Sequence, residues 1–318
     1  MNRNAEAITI FCSHLCAAAD VRPFEPKEWG DLAVRLMDLK YQPGDLLEFD
    51  RRDFLSVLSF SEEEADRMAR LIDRSASLRF ELEKYESMGI SVITRADAEY
   101  PKQLKRKLGN SCPPLFYAAG DPALLNRECV GYVGSRDVDP SDIEFTKKIV
   151  SATAGKGYAV VSGGAKGIDS ISASAAMAEG VAVIEYLSDS MMRKMRDSGL
   201  VQEIRDGRVL LMSVVAPAAG FNVGVAMMRN RYIYAQSSGT VVIRSDKGKG
   251  GTWTGATENL KHAWCPTFCR DCDYPGNQEL IRLGAVPISE SWDGDVSNYA
   301  AEPAVPARKP EQMTLFEL

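Results

Sequence analysis

The spacing of apolar residues divides the chain into three parts. Residues 1–87 place apolar side chains three and four positions apart, with few β-branched runs, which predicts a small helical domain. Between residues 88 and 290, short β-branched runs alternate with segments long enough for a crossover helix. This alternation predicts an α/β domain with a doubly wound, mostly parallel sheet. Residues 291–318 contain EPAVPARKP, a composition typical of a flexible tail.

Individual elements carry their own signals. The runs predicted as buried strands are ISVIT, CVGYVG, YAVVSG, VAVIEYL, RVLLMSVV, TVVIR, PTFCR and VPIS. Ser61 followed by three glutamates predicts the start of one helix that continues to Gly89. Asp139 and Pro140 predict another helix start directly after the strand CVGYVG.

Composition narrows the class of protein. The formal net charge of −6 excludes a protein coated with basic residues, so any contact with nucleic acid must come from a local patch. No run of about 18 apolar residues occurs, and a membrane span is not expected. Seven cysteines, an odd number without regular spacing, favour reduced thiols in the cytoplasm over a disulfide framework.

Two glycine-rich loops follow predicted strands at the edge where a parallel sheet binds its ligands. The first loop is Gly134, Ser135 and Arg136. The second loop consists of Ser162, Gly163, Gly164, Ala165, Lys166 and Gly167. Glycines let backbone N–H groups approach an anion, and each loop also carries one cation. The pair predicts a phosphate-binding site; the alternative is two tight turns that the sheet needs in any case.

A third candidate element lies in MRNRYI, where Arg229, Asn230 and Arg231 precede a helix-like run. Guanidinium groups suit phosphate because they can donate two parallel hydrogen bonds. The two arginines are two positions apart and cannot share one helix face. They are expected to reach different anions, or one of them pairs with a core carboxylate such as Asp169 or Glu185.

A fourth candidate element is the loop SDKGKGG, in which Lys247 and Lys249 alternate with glycines before a helix. Positive charge on a flexible loop fits a basic lip of the same phosphate site. The alternative is an ordinary solvated surface loop, because lysine and glycine together are also typical of such loops.

A cluster near the end of the α/β part raises the question of zinc. His262, Cys265, Cys269 and Cys272 place four soft ligands within eleven positions. The pattern HxxCxxxCxxC differs from a standard pair of zinc knuckles, and the residues PTF between two of the cysteines are predicted as a strand. We therefore expect buried thiols, and neither a metal nor another cofactor.

Several motifs in one order resemble the DNA-processing protein A family (DprA, also called Smf): GSR, SGGAKGID, MRNRYI and GNQELIRLGA. The likeness covers roughly residues 88–288, including the approach segment GISVITRADAEYP. Residues 1–87 are more loosely similar to the family's SAM-like helical domain. Ala173 stands where the family often has histidine, and FNVGVAMM replaces its usual proline-rich segment, which indicates a diverged member.

The resemblance implies a Rossmann-like fold and a protein without catalytic activity. It implies a cytoplasmic homodimer that binds single-stranded DNA and helps to load the RecA recombinase during DNA uptake (natural transformation), recombination or a related process. Arg136, residues 162–167 and residues 229–231 match the family's DNA-contacting motifs. Candidates for stacking on bases are Tyr132, Tyr232, Tyr234 and Trp253, although the alternating pair Tyr232 and Tyr234 fits the core equally well.

Two other classes of function stay open. Nucleotide phosphoribohydrolases of the lysine-decarboxylase-like group combine a glycine loop and arginines with a GGxGTxxE loop that carries a catalytic glutamate. Here GGTWTGATE offers Glu258 for that role, at a longer spacing. The third class is an interaction or defence scaffold without catalysis, because the fold alone does not fix the function.

The C-terminal end carries a short motif of its own. Gln312, Leu315 and Phe316 resemble the QxxLF peptide by which bacterial DNA enzymes bind the replication sliding clamp. One polar anchor and two adjacent apolar anchors on a disordered tether are typical of a linear motif. The alternative is a tail that ends in two apolar residues by chance or packs them on its own domain.

Overall fold

Five α-helices occupy the first 87 residues of the computed structural model, which describes residues 1–18 and 20–301. They are α1 (Arg3–Cys12), α2 (Pro26–Asp38), α3 (Arg51–Ser56), α4 (Glu62–Asp73) and α5 (Ser75–Ser87). The predicted helix start at Ser61 is confirmed. The Glu64 N–H donates to the Ser61 hydroxyl at 3.2 Å, and the Ser61 N–H donates to the Glu64 carboxylate at 2.9 Å.

The single helix predicted after Ser61 is wrong in one respect, because the chain bends at Arg74 and forms two helices. The Arg74 guanidinium is buried and donates to backbone carbonyl groups at the end of α1. Its partners include Leu15 at 2.5 Å, Ser13 at 2.7 Å and Ile10. This side chain satisfies carbonyl groups that the end of α1 would otherwise leave unpaired.

Nine strands of the described residues form one sheet. They are β1 (Ser91–Thr94), β2 (Leu115–Ala119), β3 (Cys129–Val133), β4 (Ala159–Ser162), β5 (Val183–Leu187), β6 (Val209–Ser213), β7 (Gly239–Val242), β8 (Thr267–Arg270) and β9 (Val286–Ile288). Their order is β1-β2-β6-β5-β4-β3-β7-β8-β9. Strand β2 pairs antiparallel with both β1 and β6, and the other six strand pairs are parallel, which confirms the mostly parallel sheet. All eight predicted strands are present, and β2 was not predicted.

Helices cover both faces of the sheet. They are α6 (Lys102–Leu108), α7 (Pro140–Gly155), α8 (Ile168–Ala178), α9 (Met191–Lys194), α10 (Ser198–Arg205), α11 (Val223–Gln236), α12 (Gly250–His262) and α13 (Pro275–Arg282). The predicted start of α7 is confirmed, because the Asp139 carboxylate accepts from the N–H groups of Ser141 and Asp142 at 2.8 and 3.0 Å. No helix in the described ranges is both long and apolar enough to cross a membrane.

The three tyrosines named as candidates for stacking on bases all lie in the core. The rings of Tyr186 and Tyr232 lie 5.7 Å apart, and both contact Phe116. Tyr132 is fully buried and its hydroxyl bonds to Thr153, while Tyr234 is also fully buried. Tyr132 is therefore wrong as a candidate for stacking on bases, and Tyr232 and Tyr234 occupy the core position that was their alternative. Trp253, on α12, is partly exposed.

The order of the strands creates a topological switch point. From β3 the chain moves through β4, β5 and β6 toward one edge, and then returns to place β7, β8 and β9 on the other side. The loops that follow β3 and β7 therefore separate at the carboxyl end of the sheet. In open α/β sheets this is where ligands bind.

The sequence predicted domain boundaries after residues 87 and 290, and the structure shows contacts across both positions. Helix α5 ends at Ser87, yet the Ser13 hydroxyl bonds to the Tyr117 hydroxyl of β2 at 2.8 Å, so the helical part packs directly on the sheet. A separate domain over residues 1–87 stays a prediction. Beyond β9, the rings of Trp292 and Tyr299 each lie 4.9 Å from Phe268. The tail motif residues Gln312, Leu315 and Phe316 lie outside the described residues.

Candidate functional site

A cleft of about 560 Å³ opens at the switch point between β3 and β7. All four predicted elements contribute to its wall. The predicted residues that line the cleft are Gly134, Ser135, Arg136, Ala165, Lys166, Arg229, Asn230 and Lys249. The predicted residues that do not line it are Ser162, Gly163, Gly164, Gly167, Arg231 and Lys247. The fold thus brings together side chains that are far apart in the sequence.

The two glycine loops pack directly on one another. The Ile168 N–H donates to the Ser135 carbonyl at 3.2 Å. A Cβ added at Gly167, where φ is +79°, would lie 2.3 Å from the same carbonyl oxygen. A Cβ at Gly134 would lie 2.4 Å from Cγ1 of Ile168. Only glycine allows this approach, so the glycines of both loops are required by their mutual packing.

A buried ion pair lies beneath the second loop. Arg229 is 4% exposed, and its Nη1 lies 3.5 Å from Oδ2 of Asp169. Burial lowers the pKa of Arg229, and the neighbouring Asp169 carboxylate opposes that effect. A Cβ added at Gly163 would lie only 1.3 Å from Nη1 of Arg229. The guanidinium therefore occupies the space that a side chain at position 163 would need.

The peptide between Gly164 and Ala165 is held from both sides. The Lys194 ammonium donates to the Gly164 carbonyl at 3.2 Å, and the Ala165 N–H donates to the Asp169 carboxylate at 3.3 Å. Lys194 is itself paired with the buried Glu185 of β5. The second loop is thus fixed by two ion pairs that reach it from α9 and α11.

The cations at the mouth of the cleft are exposed. Arg136 and Lys166 both line the cleft, and neither forms an ion pair with another residue in the described part of the chain. The guanidinium carbon of Arg136 lies 5.3 Å from the ring centre of Phe221, which also lines the cleft and is 49% exposed. Phe221 was not predicted from the sequence. The sequence indicates this residue only by its position, as an isolated aromatic side chain just before the helix that carries Arg229 and Arg231.

Two helices begin at the cleft. Helix α8 begins after Gly167 and α12 begins after Lys249, and neither N-cap residue accepts a hydrogen bond through its side chain. Unpaired N–H groups and the helix dipole make such N-termini favourable for anions. This applies chiefly to α12, because the Ile168 N–H of α8 is already donated to the Ser135 carbonyl and Asp169 lies in the first turn of α8. The Asn230 amide donates to the Gly251 carbonyl at 3.0 Å and so fixes the start of α12 against α11.

The arginine element lies inside α11, although the sequence placed it before a helix. The helix begins earlier because the Asn222 side chain accepts from the Val225 N–H at 3.1 Å. Arg229 faces inward to Asp169, as one of the two alternatives predicted. Arg231 points elsewhere and pairs with Glu258 at 2.7 Å.

The basic loop after β7 is divided. Lys249 lines the cleft, with its ammonium 3.9 Å from Asp246, whereas Lys247 pairs with Glu279 at 3.1 Å outside the cleft. Arg244, at the end of β7, also lines the cleft and was not predicted. Its guanidinium pairs with the buried Asp142 at 3.1 Å. Arg244 is therefore partly neutralised before any ligand arrives.

The histidine and cysteines that are close together in the sequence have different surroundings in the fold. The ring of His262 stacks on Trp264 at 5.1 Å, while Cys265 and Cys269 are buried in the core. Burial raises the pKa of Cys265 to about 11. Within residues 1–18 and 20–301, no group of three or more His, Cys, Asp or Glu side chains is arranged to hold a metal ion.

The fold and the cleft together define a Rossmann-like α/β protein with glycine loops, helix N-termini and exposed cations at its switch point. The family model of DNA recombination-mediator protein A matches residues 91–295, and the chain belongs to this family.

One curated relative and two solved structures are similar to this chain, and the solved structures share its fold. The DNA processing protein DprA of Bacillus subtilis (strain 168) is 26% identical over 217 residues, which cover 67% of this chain and 72% of that protein. The crystal structure of DprA from Streptococcus pneumoniae matches with a TM-score of 0.60 and 20% identity, over 83% of this chain and 95% of that one. DNA processing protein A from Helicobacter pylori, described for its unique single-stranded DNA binding mode, matches with a TM-score of 0.51 and 24% identity, over 63% and 90%.

Proposed function

We propose that this protein binds single-stranded DNA in the cleft as a DNA-processing protein. The observation that carries the proposal is the pair of exposed cations, Arg136 and Lys166, on two interlocked glycine loops at the switch point. Membership of the recombination-mediator family supports the choice of ligand. The Helicobacter pylori relative, which is described as binding single-stranded DNA, supports it further.

The size of the cleft favours an unpaired strand over a duplex. A volume of about 560 Å³ lies within the roughly 300–1,000 Å³ that small-ligand sites occupy. Such a space admits a nucleotide with its base turned out of the stack, whereas the paired bases of a duplex would have to open first.

Each part of the cleft has a role in this proposal. Arg136 and Lys166 neutralise phosphates, and the N-terminus of α12 offers N–H groups and the positive end of its dipole to the same anions. Phe221 offers an exposed ring against which a base can stack. Arg229 acts indirectly, because it holds Asp169 and the second loop in place.

Substitution of the two exposed cations tests the proposal. We expect Arg136→Ala and Lys166→Ala each to weaken binding of an oligothymidine without lowering the free energy of unfolding, because both side chains are exposed. Removing one phosphate interaction should reduce the slope of log K against log salt by about 0.7 for single strands. Fluorescence anisotropy over a salt titration measures both the affinity and the slope. Lys40→Ala, an exposed lysine on the helical part, is the matched control.

If both cleft variants bind with the affinity and slope of the parent protein, the cleft is not the DNA site. Equal weakening by Lys40→Ala would also contradict the proposal, since it would reveal a non-specific effect of charge.

We further propose that the protein assists RecA loading and acts as a homodimer, as its family resemblance implies. Faster RecA filament formation on single strands coated with single-strand-binding protein, measured by RecA ATP hydrolysis, is the expected result. Failure to accelerate RecA, with DNA binding intact, would separate this branch from a loading role.

The tail residues Gln312, Leu315 and Phe316 support a proposal that the sliding clamp is a partner, through their resemblance to the clamp-binding peptide.

The proposed role is binding without catalysis. Glu258 does not line the cleft, and its carboxylate is paired with Arg231 at 2.7 Å, which is unsuited to a general acid or base facing a nucleotide. Hydrolysis of nucleoside monophosphates by the parent protein that disappears in Glu258→Gln would contradict this proposal.

A further inference from the structure

Helix α6 carries an unusual concentration of positive charge. Its sequence KQLKRKL contains four cations in seven residues and no acid, in a chain whose formal net charge is −6. Lys102, Lys105 and Arg106 are exposed, and none of them forms an ion pair with another residue that the structure describes. Their spacing of three and four positions places them on one side of the helix. Lys107 differs, because it turns inward and donates to the Ser237 carbonyl at 2.8 Å.

The stability of the helix does not account for these charges. Lys105 and Arg106 lie in the last turn, where the helix dipole favours cations. Lys102, however, is the first residue of the helix, where the dipole opposes a positive charge, and the first turn has neither an acid nor a side-chain cap. Helix α7, by contrast, has Asp139 as its N-cap and Asp142 in its first turn. A cation at the start of α6 therefore costs helix stability, so helix stability does not explain its presence there.

The fold connects this basic surface with the cleft through α11. Helix α6 packs against α11, and the Lys107–Ser237 bond fixes it near the C-terminal end of that helix. The N-terminal half of α11, including Met227, lines the cleft. From Met227 to Ser237 the rise along a helix is about 15 Å. Arg231 on α11 is partly exposed, whereas residues 232–237 are buried, so α11 sets the separation of the two surfaces and is not itself the path between them.

We propose that Lys102, Lys105 and Arg106 form a second contact surface for single-stranded DNA, reached by a strand that leaves the cleft toward α6. This inference rests on the proposed function of the cleft. About 15 Å corresponds to roughly four or five nucleotides at the ~3.4 Å spacing of a stacked strand. A short oligonucleotide thus fills the cleft alone, and a longer one reaches α6 as well.

A protein partner fits this surface less well. Protein interfaces depend on apolar and aromatic anchors and are depleted in lysine at their centres. On α6, Leu104 is fully buried and Leu108 packs against the core, so the exposed side offers cations only. Phosphates require no apolar anchor, because release of counterions supplies the affinity.

Oligonucleotides of two lengths test the inference with one triple variant. Lys102→Gln, Lys105→Gln and Arg106→Gln are combined, and binding of oligothymidines of about 3 and about 20 nucleotides is measured by anisotropy over a salt titration. We expect the long oligonucleotide to bind at least tenfold more weakly at low salt, with a slope reduced by about 2, since each neutralised phosphate accounts for about 0.7. The short oligonucleotide should bind as it does to the parent protein. The matched control combines Lys40→Gln, Arg52→Gln and Arg205→Gln, three exposed cations elsewhere.

Unchanged affinity and slope for the long oligonucleotide would overturn the inference. So would equal weakening of both lengths, which would assign the three cations to the cleft, or equal weakening by the control variant. If the parent protein binds neither length, the proposed function itself fails, and the inference falls with it. A loss of affinity that is confined to the long oligonucleotide supports both the proposed function of the cleft and the second contact surface on α6.

Discussion

The contact between Gly163 and Arg229 allows a sharp test of how the second glycine loop is built. A Cβ at position 163 would lie 1.3 Å from Nη1 of Arg229 and 2.5 Å from Oδ2 of Asp169. The φ of Gly163 is not positive, so alanine is not excluded by the backbone itself. Gly163→Ala must therefore displace the guanidinium or the loop. Removing one partner of a buried ion pair costs about 3–5 kcal/mol, and overpacking alone costs about 1–3 kcal/mol.

We expect Gly163→Ala to lower the free energy of unfolding by about 3 kcal/mol and Arg229→Ala by about 3–5 kcal/mol. The double variant should be close to Arg229→Ala alone, because the smaller side chain at position 229 removes the 1.3 Å contact and releases the Asp169 carboxylate to turn away from the new methyl group. The coupling energy from urea unfolding should thus be about 3 kcal/mol. Gly155→Ala is the control, since its Cβ would have no heavy atom within 4 Å. Effects at 163 and 229 that add to within about 0.5 kcal/mol would refute the direct contact.

Two further predictions concern Phe221 and the tail. Phe221→Ala should weaken oligonucleotide binding by about 1–3 kcal/mol, or roughly 5- to 140-fold in Kd, because a stacking platform is removed. Phe80→Ala, also an exposed phenylalanine, is the control, and equal affinities for all three proteins would exclude stacking on Phe221. A peptide of residues 308–318 should bind purified sliding clamp at micromolar strength and lose binding when Leu315 and Phe316 are replaced by alanine. Surface plasmon resonance measures this, and equal binding by both peptides would exclude the motif.

The sequence predicted the strands that are rich in β-branched residues, but it did not predict β2 or the order in which the strands pair. Strands such as β4 and β7 were evident from their β-branched residues, because a buried parallel strand must be apolar on both faces. Strand β2, LFYAA, was missed because it follows two prolines and lacks β-branched residues. Its pairing with β1 and β6 depends on long-range contacts that no local pattern records.

The sequence likewise predicted some residues of the candidate site and not others. Glycines and cations after strands pointed to Arg136 and Lys166, because the edge of a parallel sheet has a known relation to its strands. Which arginine is buried could not be read from MRNRYI, since this depends on how α11 is rotated against the sheet. Arg244 was hidden for a similar reason: it ended a predicted strand, and only the packing of β7 beside β3 turns it toward the cleft.

The packing of Gly167 on the Ser135 carbonyl has a consequence for the kinetics of binding. Because each loop supports the other in the free protein, neither has to become ordered when a phosphate arrives, and the conformational entropy has been lost during folding. Association should then be limited by diffusion and by attraction to Arg136 and Lys166, without a slow rearrangement of the chain. Salt should accordingly slow the arrival of a strand, and the observed rate should rise linearly with protein concentration.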